Sequence, residues 1–99
     1  MRNTTKSILN FVGPQIRRLR ITRKLTQEQL AAQAATRGWD MSRITLAKIE
    51  AQLRYVSDVE VVFFARLLKV PYQVLLPRLG KEAFIPSFDR KEAHHLKGR

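Results

Sequence analysis

TQEQLAAQAATRGWDMSRITLAKIE (26–50) holds two short helical patterns separated by a break. Thr26 and Gln29 have the spacing of a capping box, in which a hydroxyl and a side-chain amide satisfy backbone groups at a helix start. They open a predicted helix over 26–35, with Leu30, Ala31 and Ala34 on a narrow apolar face suited to close packing. Gly38 interrupts the period, so TRGWDM (36–41) is predicted as a connection, with Trp39 as its anchor. Ser42 caps a second helix, 42–50, whose inward face is Leu46 and Ile49 with Thr45 beside them.

Outward from this pair the chain stays helical. Gly13-Pro14 has the form of an N-cap followed by proline at the first helical position, where a missing N–H costs nothing. A helix over 14–25 then places Ile16, Leu19 and Arg20 on one face. On the other side AQLRYV (51–56) is a loop, and Ser57 and Glu60 form a second capping box before SDVEVVFFARLLKV (57–70). The β-branched run Val59 to Phe64 suits a strand, but the capping box before it and Ala-Arg-Leu-Leu after it favour helix. Pro71 interrupts, YQVLL (72–76) makes a short last helix, and Pro77 stops it. The prediction is all-α, with five helices. Its core is Ile16, Leu19, Leu25, Leu30, Leu46, Ile49, Phe64, Leu67, Leu68, Val70, Leu75 and Leu76.

Ninety-nine residues leave room for one domain, 13–77, between a basic arm (1–12) and a tail (78–99). Nineteen Lys and Arg against eight Asp and Glu give a net charge of +11. This exceeds the magnitude of about 2–8 usual for small soluble domains and points to a polyanion partner. Arg2, Lys6, Arg17, Arg18, Arg20, Arg23 and Lys24 all precede the first acid, so the electrostatic footprint should begin in the first quarter. With no Cys there is no disulfide framework, thiolate nucleophile or zinc finger, which fits a reducing, cytoplasmic setting. No apolar run approaches the ~20 residues of a membrane span, and no helix joins a broad apolar face to a basic one. His94-His95 diverge on a helix and have no His or Cys elsewhere to complete a metal site, so neither metal nor cofactor is expected. Glu28, Asp40, Glu50, Asp58 and Glu60 fall at caps, turns or an ion pair, and no His or Ser completes a catalytic constellation. An enzyme is not expected.

Helices 26–35 and 42–50, joined by a break and packed through Ala31, describe a helix-turn-helix. The second can project Arg43, Ile44, Ala47 and Lys48 away from the core. Taken with its neighbours, the pattern is more specific. TQEQLA (26–31), SRITLAKIE (42–50), SDVEVVFFARLLKVP (57–71) and YQVLL (72–76) together resemble the DNA-binding domain of lambda-type repressors and Cro, the xenobiotic-response-element (XRE) family, over about Gly13 to Leu76.

The resemblance implies a five-helix fold, a double-stranded DNA partner and a set of contacts. Its third helix enters the major groove, which assigns base contacts to Arg43, Ile44, Ala47 and Lys48. Arg43 suits guanine, Ile44 a thymine methyl, and Lys48 either a base or a phosphate. Phosphate contacts fall to Gln27, Ser42 and Arg54, with Arg17 and Arg18 adding basic charge, although Gln27 has the alternative of capping its own helix. A buried ion pair in the family corresponds to Arg20 and Glu50. The setting implied is bacterial or phage and nucleoid-associated. The activity is transcriptional regulation, repression above all, by a homodimer.

Two departures bear on the contacts. The connection is about five residues longer than the family's tight turn, which either offsets the register or brings Asp40 and Met41 towards DNA. Ala51-Gln52 replaces the usual Asn-Gly after the glutamate, so the left-handed turn is expected to be lost and Arg54 displaced. Val74, Leu75, Leu79 and the tail aromatics form the candidate dimer surface. An alternative from another class is an antitoxin-like module whose residues 78–99 hold a protein partner, with DNA binding secondary.

Overall fold

The computed structural model describes residues 8–76. Four α-helices follow one another: α1 (Gly13–Thr22), α2 (Gln27–Thr36), α3 (Arg43–Glu50) and α4 (Asp58–Leu68). A single 3-10 turn of helix, Tyr72–Leu75, completes them, and no strand occurs among the described residues. The predicted fifth helix is thus a 3-10 helix of four residues. Pro71 has no N–H to donate and Pro77 follows closely, leaving too few residues for an α-helical ladder.

Both predicted capping boxes are present. Thr26 Oγ1 accepts the Gln29 N–H while Gln29 Oε1 accepts that of Thr26, and Ser57 and Glu60 repeat the exchange. The start of α1 differs from prediction. The helix begins at Gly13, not after it, and the Gly13 N–H donates to Asn10 Oδ1 at 2.8 Å. A β-carbon at position 13 would overlap the Ile49 carbonyl oxygen, so glycine here permits α1 to enter directly against the end of α3.

All four α-helices end in one way. A residue with positive φ follows each: Lys24 (60°), Gly38 (104°), Gln52 (65°) and Lys69 (59°). The N–H of each of these, and of the residue after it, folds back onto the last turn of its helix. After α3, for example, Gln52 N–H donates to Ile49 O at 3.0 Å and Leu53 N–H to Lys48 O at 2.8 Å, the paired bonds of a Schellman motif. These turns stop α1 at Thr22 and α4 at Leu68, earlier than the predicted 25 and 70.

Ile16, Leu30, Leu46, Ile49, Phe64, Leu68 and Leu75 are fully buried in one cluster. α1 and α2 both pack on α3, and the 3-10 helix rests on α1 and α4. Three predicted core residues sit elsewhere: Leu76 is 43% exposed, and Leu25 and Val70 are partly buried at the rim. Val12, Met41 and Ala65 are buried instead. Met41 therefore does not approach a ligand, because the longer connection drives its side chain into the core. Trp39, in the same connection, packs edge-on against Phe63 and Phe64 with ring centroids 5.2 and 5.3 Å apart.

Candidate nucleic-acid interface

α3 is held at both ends and left open along one side. At its start Ser42 Oγ accepts the Thr45 N–H at 3.1 Å. Inside, Leu46 and Ile49 fix its rotation. Arg43, Ile44, Ala47 and Lys48 then form a continuous strip on the opposite side, with Ala47 half-buried and the other three exposed. Ile44 is 60% exposed, an unusual place for a β-branched apolar side chain.

The far end of α3 is tied by Glu50. Its Oε2 accepts Arg20 Nε at 2.7 Å, and its Oε1 accepts Arg20 Nη2 and Gln27 Nε2, both at 3.0 Å. Arg20 Nη1 continues to the Leu25 carbonyl at 2.7 Å. One buried carboxylate thus joins α1, the turn after it, the first residue of α2 and the last of α3. Gln27 donates here and does not cap its own helix. The cap belongs to Thr26 and Gln29.

A second tie comes from the N-terminal side. Asn10 Nδ2 donates to Ile49 O (3.1 Å) and Arg54 O (2.8 Å), while Gln52 Nε2 donates to the Asn10 carbonyl at 3.0 Å. Leu9 N–H adds a bond to Gln52 O at 3.2 Å. Leu9 and Asn10 therefore bond to the end of α3 and the loop after it, outside the predicted domain bounds of 13–77.

No protein-family model matches the chain, and no curated protein matches it. Solved structures do. The restriction-modification controller protein C.AhdI from Aeromonas hydrophila is 28% identical with a TM-score of 0.58, over 69% of this chain and 96% of that one. The DNA-binding domain of BldD superposes with a TM-score of 0.60 at 21% identity, over 71% of this chain and 94% of that one. The hypothetical transcription factor NHTF from Neisseria gives 0.58 at 16% identity, over 97% and 92%. This is the lambda-repressor-like helix-turn-helix fold.

In this helix-turn-helix domain Arg17 and Arg18 are exposed on α1, and Arg18 Nε donates to Gln15 Oε1 at 2.8 Å. Arg54 turns towards α4: Nη1 donates to Tyr55 O (2.9 Å) and Glu60 Oε1 (3.1 Å), and Nη2 to Glu60 Oε2 (3.3 Å). Burial alone would raise the Glu60 carboxyl. Hydrogen bonds from Arg54 and from the Ser57 N–H, with the Arg54 charge, outweigh that and hold it below the ordinary carboxylate value. The left-handed turn expected to be lost after α3 is kept, because Gln52 adopts it without glycine and its amide is anchored on Asn10. Asn10 itself escaped the sequence reading. Its signal is an Asx residue three positions before the helix-opening glycine.

Among the described residues no three His, Cys, Asp or Glu side chains gather as a metal site, and no helix is long and apolar enough to cross a membrane. His94, His95, Leu79, the tail aromatics and the candidate partner segment 78–99 lie outside the described residues. Leu75 is buried and cannot belong to a dimer surface, whereas Val74 and Leu76 are exposed.

Proposed function

We propose that this protein is a sequence-specific double-stranded DNA-binding transcriptional regulator that reads the major groove with α3. The observation that carries the reading is the outward strip Arg43, Ile44, Ala47 and Lys48 on a helix immobilised by the Arg20–Glu50–Gln27 network, in a chain of net charge +11. Arg43 supplies the fork for guanine, Ile44 the apolar contact for a thymine methyl, and Lys48 a cation for base or phosphate. Ser42, Arg17 and Arg18 supply phosphate contacts from the flanks. Gln27 keeps its second amide N–H for a phosphate, and Arg54, with three of its five N–H groups engaged in the fold, keeps two. The similar structures, a DNA-binding domain, a hypothetical transcription factor and a controller protein, support the same class.

In this reading the protein acts as a repressor: a homodimer covers a near-palindromic site with its two third helices about one helical turn, ~34–36 Å, apart and occludes a promoter. Selection and sequencing from a randomised duplex pool at near-physiological salt is the test. An enriched near-palindrome, with affinity falling ~10³–10⁵-fold between 50 and 200 mM salt, is the expected result. Binding that shows neither enrichment nor salt dependence overturns it in favour of a protein-interaction role for residues 78–99.

A further inference from the structure

Arg54 is held at both its ends. Its carbonyl accepts from Asn10 Nδ2 at 2.8 Å, and the same amide nitrogen reaches the Ile49 carbonyl at 3.1 Å. One side chain thus fixes the Arg54 backbone against the last turn of α3. At the far end Nη1 donates to Tyr55 O and to Glu60 Oε1, at 2.9 and 3.1 Å, and Nη2 donates to Glu60 Oε2 at 3.3 Å. Both hydrogens of Nη1 are therefore used, and one of Nη2. The Nε–H and the second Nη2 hydrogen remain, side by side on one edge of the guanidinium plane. Two parallel N–H groups so placed match two oxygens of a phosphate. Among the described residues no acceptor takes either of them, and the Arg54 side chain is 35% exposed.

Glu60 does more here than start α4. The capping box uses one of its oxygens, Oε1, which accepts the Ser57 N–H at 3.1 Å. Among the described residues Oε2 accepts from Arg54 alone. An ion pair this open to solvent adds little stability, because ordering two long side chains offsets the attraction. What the pair does set is direction. A guanidinium gripped along one edge is held from turning about its stem, so the free edge keeps one orientation. Ordering that edge in advance removes part of the entropy a contact would otherwise cost.

We infer that Glu60 is a positioning residue for DNA binding, holding Arg54 as a preset two-pronged clamp for one backbone phosphate beside the end of α3. The inference deepens the DNA-binding reading above and rests on it. Phosphate contacts set the register of a protein on the duplex, so the clamp helps to fix where the outward strip of α3 meets the bases. Positioning and charge predict opposite signs. As a negative charge alone, Glu60 opposes a polyanion, and neutralising it should tighten binding. As the holder of Arg54, its loss should weaken binding.

The test is fluorescence-anisotropy titration of the full chain against a labelled duplex carrying the selected site, at near-physiological salt. Arg54→Lys keeps the charge but not the fork, and should weaken binding roughly tenfold. Glu60→Gln keeps the capping box and loses the Oε2 acceptor. It should weaken binding about threefold or more, although the chain becomes one charge more positive. In the Arg54→Lys chain the same substitution should no longer weaken binding, and the added charge should tighten it. A damaged fold would lower affinity in both backgrounds, so this dependence on Arg54 is a result that a merely structural role would not give. A Glu60→Gln chain that binds as tightly as wild type, or that loses the same factor in both backgrounds, overturns the inference and leaves the DNA-binding reading standing. A wild-type chain that selects no site overturns both.

Discussion

Glu50, the last residue of α3, meets the guanidinium of Arg20 on α1 through both carboxylate oxygens, at 2.7 and 3.0 Å. The Glu50 side chain is 2% exposed and that of Arg20 10%. Removing one partner strands a charge in the interior, at a cost of about 3–5 kcal/mol. Glu50→Ala and Arg20→Ala should each lower the unfolding free energy from urea titration by that much. The double substitution should cost much less than the sum, because neither charge is then left alone.

Arg43 and Arg17 are both exposed arginines, yet they should fail differently. Arg43→Ala should cost ~1–3 kcal/mol on the preferred site and relax one base position. Arg17→Ala should weaken all sequences alike and reduce the salt slope by about one. Titration against the selected site and a scrambled duplex, at two salt concentrations, separates the two.

Lys69 and Gln52 both hold left-handed backbone, which costs an ordinary L-residue roughly 1–2 kcal/mol. Lys69→Gly removes that cost against a smaller entropic penalty and should stabilise the fold by on the order of 0.5–1 kcal/mol. Gln52→Gly removes the same cost but also the amide bond to the Asn10 carbonyl, so it should be close to neutral. Thermal unfolding of the two variants side by side reads the difference.

Glu60 contributes a pH dependence of known sign. Its folded-state pKa is lowered, so the stability it adds is fully present above the ordinary titration range of a carboxyl and is lost as pH falls through the lowered value. Glu60→Gln keeps the capping box, since Gln serves at that position, and removes only the charge. The gap between wild type and variant should stay within about 1 kcal/mol at neutral pH, as for other half-exposed pairs, and vanish in acid. Denaturant midpoints over an acid-to-neutral series measure it.

The helices of this protein are legible because local chemistry marks them. Thr26 with Gln29, and Ser57 with Glu60, announce two helix starts whatever the tertiary context. The ends are harder. Nothing in the letters of Lys24, Gln52 or Lys69 advertises a left-handed residue, and in each case the bonds back to the helix impose the conformation. The outward strip of α3 follows from the burial of Leu46 and Ile49, which periodicity places. Period could not show that Arg54 would turn to Glu60, or that Asn10 would bridge two carbonyls on α3 and its loop, because both depend on partners that only folding brings near. Of the two alternatives left open by the long connection, an approach of Met41 to DNA falls away for a similar reason: a loop of unusual length contains a core residue at its end.

The glycine that opens α1 has a consequence for how this protein can vary. Position 13 lies against the carbonyls of Ile49 and Glu50, with no room for even one methyl group. In a library covering every substitution, screened for folded protein, Gly13 should be among the least replaceable positions although it lies outside the outward strip of α3. The exposed letters Arg43, Ile44 and Lys48 carry no such packing constraint and could be exchanged freely for new ones. Such a scaffold can change its outward face while the point where its first helix touches its third stays fixed.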